Sequence, residues 1–188
     1  MLRSVLSRSS LELTLAILKP HVVKASHALE AIRRIIVNNG FLIVESKTVR
    51  IPQQQVEHFY EEHKNKFFYN RLITSMTSGD CEVYVLAKHN AIQDWRQLMG
   101  PTKVFQAIFS HPDSLRGMYG LTDTRNATHG SDSKESAARE ISIFFPDFSV
   151  SQWLKENEEN CHSGVVKSDP TLIVQSGKAV GTERCASR

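Results

Sequence analysis

One break constrains this chain more than any other feature: the apolar run Leu13-Thr14-Leu15-Ala16-Ile17-Leu18 ends abruptly at Lys19-Pro20. A run this short, without polar alternation, reads as a central strand buried on both faces. Pro20 stops the strand and fits the first turn of a helix. Ala28, Leu29, Ile32, Ile35 and Ile36 recur at helical spacing after it, and Asn39-Gly40 supplies the stop. Phe41 to Ile51 then returns to a strand pattern rich in β-branched residues.

The alternation continues. Pro52 opens a helix through about His63, with Val56, Phe59 and Tyr60 as its apolar face. Phe67-Phe68-Tyr69 begins another, carrying Leu72, Ile73 and Met76 and ending at Ser78-Gly79. Glu82 to Ala87 is a third strand. Ala91 to Met99 reads as a helix with Ile92, Trp95 and Leu98 or Met99 inward, broken by Gly100-Pro101-Thr102. Val104, Phe105, Ile108 and Phe109 suggest one more short helix before His111-Pro112. Asp113 to Arg125 reads as mostly loop, with a brief final strand within Thr124 to His129. The last helix holds Ala137, Ala138, Ile141, Phe144 and Phe145 and stops at Pro146-Asp147-Phe148. Four strands in the order βα-β-αα-β-αα-β-α fit an α+β, ferredoxin-like sandwich: a four-stranded antiparallel sheet covered by helices.

That core is expected to be one domain over residues 12–154. Beyond Trp153 the chain turns polar, beginning Lys155-Glu156-Asn157-Glu158-Glu159-Asn160, so 155–188 is expected to be a disordered tail. Residues 1–11, with Arg3, Arg8, four serines and no acid, resemble a short mitochondrial targeting segment. The expected location is therefore mitochondrial, with the cytoplasm as alternative; an ordinary unstructured start is the plain reading of the same residues. Cys81, Cys161 and Cys185 are odd in number with no paired spacing, which points to a reducing compartment and against a disulfide framework or zinc site. No apolar run approaches the length of a membrane span. The net charge of +3 is too mild, and the cations too scattered, to make nucleic acid a natural partner. A polyanionic small molecule such as a nucleotide fits as well.

The chemistry concentrates in Asn126-Ala127-Thr128-His129-Gly130-Ser131-Asp132-Ser133. Ser131, Asp132 and Ser133 are small polar residues suited to a helix start, so His129 stands just before a helix N-terminus, where free N–H groups and the helix dipole favour anions. Histidine is a competent nucleophile near neutral pH, and Glu140, on the helix that follows, could orient the ring through its other nitrogen. Lys19, Arg96 and Arg116 are isolated cations beside chain breaks. Phosphoryl transfer asks for such cations around the equatorial oxygens and little else. Neither GxxxxGK[ST] nor GxGxxG occurs, so a P-loop or dinucleotide site has no support.

The signature Asn126-x-x-His129-Gly130-Ser131-Asp132 resembles the active-site motif of the nucleoside diphosphate kinases, and Thr14-Leu15-x-x-x-Lys19-Pro20 resembles that family's opening strand. The similarity covers about residues 12–148. Phe144-Phe145-Pro146-Asp147-Phe148, with the lead-in Asp123-Thr124-Arg125-Asn126, looks most like a divergent branch of the family. The resemblance implies that His129 takes the γ-phosphoryl group on Nδ1 from a nucleoside triphosphate such as ATP and passes it to a nucleoside diphosphate in a ping-pong cycle. It implies Mg²⁺ held through the nucleotide phosphates rather than by protein ligands. It places Lys19 at the transferring phosphoryl, Arg96 and Thr102 on the β-phosphate side, Arg116 at a further phosphate contact and Asn126 at the sugar and phosphate end. Phe68 matches the aromatic on which the base stacks, and Tyr60, Ser131 and Glu140 match residues that hold Lys19 and His129 in place.

Three departures qualify the match. His21 follows Pro20 where the family usually has Asp; if that acid caps the next helix, its loss could cost about 0.5–2 kcal/mol. Lys103-Val104 replaces the usual Asn-Pro, and the stretch from Thr102 to Arg116 runs a few residues longer than the common pattern. That loop helps form the hexamer in typical members, so homo-oligomerisation is left open. A second expectation stands beside the kinase: a divergent member with weak or partner-dependent activity, serving a protein partner as regulator or scaffold.

Overall fold

The computed structural model describes residues 11–161, with side chains through Asn157. Strand β1 is Leu11–Leu18, and from Leu13 onward every residue in it is buried. Its odd-numbered side chains, Leu13, Leu15 and Ile17, enter one hydrophobic cluster; Ala16 and Leu18 enter another on the opposite face of the sheet. This two-sided burial is why the run lacks polar alternation.

Pro20 opens a four-residue helix α1, Pro20–Val23, followed by α2, Ser26–Asn38, which packs Ala28, Ile32 and Ile36 into the second cluster. Strand β2 is Leu42–Val49, helix α3 Gln53–Phe59 with a 3-10 turn at Glu61–His63, and helix α4 Tyr69–Met76. Strand β3 is Cys81–His89, helix α5 Ala91–Met99 and helix α6 Val104–Ser110. Strand β4 is only Thr128–Gly130, and helix α8 is Lys134–Phe144. The sheet order is β2-β3-β1-β4, antiparallel throughout. With helices on both faces this is the α+β, ferredoxin-like sandwich. Helices α3, α4 and α8 cover the first cluster; α2 and α5 cover the second.

Three expectations need correction. The stretch 113–125 is not mostly loop: it holds helix α7, Leu115–Tyr119, whose N-cap Ser114 accepts from Gly117 N–H at 3.1 Å. A five-residue helix is too short to leave a periodic signature. Helix α6 forms, but Phe105 (75 %) and Phe109 (73 %) are exposed while Val104 and Ala107 are buried, so its largest side chains do not build core. The chain also does not leave helical structure after Phe148: α9, Val150–Cys161, continues, with Val150, Trp153 and Leu154 packed on the first cluster. Those three occur at i, i+3 and i+4, so their stripe anchors the polar residues that follow. The possible targeting segment, apart from Leu11, and the tail from 162 to 188 lie outside the described residues. Among the described residues no helix is long and apolar enough to cross a membrane.

Candidate active site

β1, β4 and α8 place three side chains in one chain of hydrogen bonds. His129 lies in the middle of β4, opposite Ile17 of β1. Its Nε2 is 3.0 Å from Glu140 Oε2, and the Ser131 hydroxyl donates to the same oxygen at 2.7 Å. Ser131 is fixed in turn by the backbone N–H of Leu15, which donates to its Oγ at 3.1 Å. Burial pushes the Glu140 carboxyl up, but the bond and charge of His129, the Ser131 hydroxyl and Arg139 outweigh it and hold the group below the usual carboxylate range. An ionised carboxylate only accepts. In the neutral form of the ring the proton is therefore held on Nε2, and the lone pair falls on Nδ1.

The backbone around the histidine is equally constrained. Trp95 Nε1 donates to the His129 carbonyl at 3.1 Å, and the Phe59 ring stands edge-on to the imidazole at 4.8 Å. A Cβ on residue 130 would lie 2.4 Å from Trp95 Cδ1, so a glycine is required after the histidine for Trp95 to approach. Ala127 is fully buried with φ +69°, a left-handed conformation that a side-chain-bearing residue rarely adopts. Its carbonyl accepts from Lys19 N–H at 3.0 Å. Strain of about 1–3 kcal/mol is thus retained at the turn into β4.

Lys19, at the end of β1, is 3 % exposed. Its Nζ donates to Asn126 Oδ1 at 2.6 Å and to the Thr124 carbonyl at 3.0 Å. Burial and the charge of Arg116 pull its ammonium down to about 7, with Cys81 opposing. Arg116, on α7, donates through Nη1 to the Gly100 carbonyl at 2.7 Å and through Nη2 to the Thr128 carbonyl at 3.2 Å; Nη1 also reaches Thr102 Oγ1 at 3.5 Å. Burial, then the charge of Arg96, lowers it to about 10, so it stays charged at neutral pH. Its Nε is buried without a partner. Asn126 Nδ2 donates to the Thr102 carbonyl at 3.3 Å, which ties the 100–102 turn to the segment leading into β4.

These groups open into a single cleft of about 750 Å³. Of the residues singled out from the sequence, His129, Lys19, Phe68, Arg96, Thr102, Arg116, Asn126, Tyr60 and Glu140 all line it; Ser131 stands behind Glu140. Phe68 is half-buried, edge-on to His63 at 5.7 Å and to Phe67 at 5.3 Å. Tyr60 reaches the histidine at one remove. Its ring stands edge-on to Phe59, the ring that contacts His129, while Lys19 is held by Asn126 and Thr124. The capping cost expected at residue 21 also falls away. Lys19 is itself the N-cap of α1, without a side-chain cap bond, and His21 is the second residue of the helix.

Sequence reading missed Glu62, His63, Arg71, Asp123 and Arg139, all of which line the cleft. Arg139 pairs with Glu62 at 3.3 Å, linking α8 to the 3-10 turn after α3. Asp123 Oδ1 accepts from Val104 N–H at 2.9 Å and secures the start of α6. Each is an ordinary polar residue on a helix or loop, and only the fold brings its partner near.

Fold and site together define an α+β domain whose cation-lined cleft is built around an oriented histidine. Its sequence matches the family model "Nucleoside diphosphate kinase" over residues 12–150. It is 50 % identical over 164 residues to nucleoside diphosphate kinase 6 of Mus musculus, covering 87 % of each chain. It is 42 % identical over 139 residues to nucleoside diphosphate kinase homolog 5 of Homo sapiens, covering 74 % of this chain and 64 % of that one. The nucleoside diphosphate kinase of Aquifex aeolicus superposes with a TM-score of 0.70 at 34 % identity, over 72 % of this chain and 96 % of that structure. The halophilic enzyme of Halobacterium salinarum, solved in complex with CDP, gives 0.67 at 31 % identity, over 76 % and 97 %. The chain belongs to the nucleoside diphosphate kinase family, on the branch of the members called nucleoside diphosphate kinase 6.

Proposed function

We propose that this chain is an active nucleoside diphosphate kinase whose phosphoryl carrier is His129. The observation that carries the reading is the Glu140–His129 bond, which selects the tautomer whose lone pair is on Nδ1, in a cleft lined by Lys19, Arg96 and Arg116. Nδ1 attacks the γ-phosphorus of a bound triphosphate such as ATP, the bond to the β,γ-bridging oxygen breaks, and the diphosphate leaves with that electron pair. A terminal oxygen of an acceptor diphosphate then attacks the phosphohistidine, and the P–N bond breaks back onto Nδ1. Arg116 and Lys19 stabilise charge on the transferring group, while Glu140 keeps the ring in one tautomer and steadies the positive charge that develops on it. Phe68 offers a stacking face that every base can use.

Magnesium fits this site on the nucleotide rather than in a protein cage. Among the described residues no group of three or more His, Cys, Asp or Glu could hold a metal ion. Mg²⁺ commonly keeps several waters and binds through substrate phosphates; bound so, it would neutralise phosphate charge.

The test is incubation with γ-labelled ATP followed by a second diphosphate. An acid-labile label that needs His129 and moves to the diphosphate supports the reading. A wild-type protein that, like His129→Ala, takes no label overturns it. One observation favours a second reading, a regulatory or scaffolding member with partner-dependent activity: Phe105, Ile108 and Phe109 form an exposed apolar face on α6. Labelling that appears only with a partner protein present selects that reading. For location, the mitochondrial proposal rests on residues 1–11, and a diffuse signal from a fluorescent protein carrying residues 1–20 overturns it.

A further inference from the structure

Among the described residues Lys19 has no anionic partner. Its two acceptors, Asn126 Oδ1 and the Thr124 carbonyl, are neutral, and they use the two N–H donors that an uncharged amine possesses. The groups facing it do not supply the missing charge. From α7 comes the cation Arg116; from β3 comes Cys81, whose thiol burial holds protonated, raised to about 12. From α1 comes His21, an imidazole rather than an acid. Both ring nitrogens of His21 are buried without a hydrogen-bond partner. Burial, then the charge of Lys19, lowers its affinity for a proton; the nearby Tyr119 carbonyl opposes this without hydrogen-bond geometry, and Arg125 adds to the lowering. Without an anion beside it, a fully charged Lys19 would be a buried cation among cations and neutral groups, which is costly.

We propose that His21 is a positioning residue that withholds a carboxylate from Lys19, so that a nucleotide phosphate is its first anionic partner and binding takes up a proton at Lys19. This rests on the kinase reading above and adds a property of its site. A phosphate oxygen cannot accept from an amine lone pair; only the ammonium offers a third N–H. The bound anion then restores the charged form. Affinity should accordingly fall as pH rises through about 7, by at most about tenfold per pH unit.

The experiment is titration calorimetry of the full chain with ADP and Mg²⁺ near pH 8, in two buffers of different ionisation enthalpy. At that pH a terminal phosphate, with a second pKa of about 6, carries almost no proton of its own. Expected is an uptake approaching about one proton per nucleotide, lost in Lys19→Arg, whose guanidinium is always charged. His21→Asp should lose most of the uptake and bind ADP more tightly at pH 8 than at present, while His21→Asn, which restores no charge, should keep it. Binding without uptake, or equal uptake in wild type, Lys19→Arg and His21→Asp, overturns the proposal and leaves the kinase reading intact. No ADP binding at any pH overturns the kinase reading itself.

Discussion

The two ends of the cleft are built differently. At the phosphoryl end, His129, Glu140, Ser131, Lys19, Asn126 and Arg116 each hold a hydrogen bond to another element, and all but His129 are buried. At the outer end, Phe68 is held by ring contacts, Phe67 is 87 % exposed, and the exposed pair Arg139–Glu62 bridges the mouth. The inner end cannot adjust without breaking bonds to β1 and β4. The outer end can adjust at small cost. On the proposed reading, chemistry that is the same for every nucleotide would fall where the fold is rigid, and the variable base where it is compliant. Precise placement of charge lowers a barrier, whereas stacking asks only for a flat face.

Substitutions at the rigid end should therefore act on kcat, and substitutions at the compliant end on KM. The largest effect is expected from Arg116→Lys. The charge remains, but the fork that reaches both Gly100 and Thr128 is lost. Loss of one preorganised donor of this kind costs about 10²–10³-fold in kcat. Steady-state kinetics that show a loss under tenfold would mean the inner end is less rigid than its bonds imply. Glu140→Gln comes next. The amide can still hold Ser131 and fill the volume, but no charge steadies the ring. A fall of about 10–100-fold in kcat at nearly constant KM is expected, by analogy with supporting residues that orient a ligand or catalyst. An equal rise in KM would place Glu140 in ground-state binding instead.

The two ends were also unequally legible in the sequence. β1 could be read because burial on both faces leaves an unbroken apolar run, and His129 because Asn126, Gly130 and Ser131 each answer a local requirement: a partner for Lys19, room for Trp95, a tether to Leu15. Each requirement reaches a distant segment, but all three fall on neighbouring positions of one short stretch and force particular side chains there, so they leave a compact signature. Helix α7 was hidden because five residues carry no period, although it supplies Arg116. Helix α9 was hidden because Val150, Trp153 and Leu154 are sparse among polar residues. The Arg139–Glu62 pair and the burial of His21 depend on contacts between distant segments, where any of several cations or rings would read alike.

The compliant end gives the smaller predictions. Phe68→Ala removes a stacking face worth about 1–3 kcal/mol per base, so KM should rise by about 5–150-fold with kcat nearly unchanged. The rise should be similar for purine and pyrimidine nucleotides; a strong difference between them would show that this end reads the base rather than merely supporting it.

The smallest effect is expected from Glu62→Gln, which removes one charge of the pair across the mouth. Its side chain is 71 % exposed and that of Arg139 is 39 % exposed, and such pairs contribute about 0–1 kcal/mol. KM should change by less than about fivefold, and less again in high salt, since exposed pairs are screened. This variant divides the two accounts of the cleft most cleanly, because Arg139 also approaches Glu140, at 3.9 Å. If the mouth is only a compliant rim, the loss of Glu62 stays in KM. A fall in kcat matching that of Glu140→Gln would show that the pair holds Arg139, and through it the carboxylate behind His129. The outer end would then be part of the rigid one.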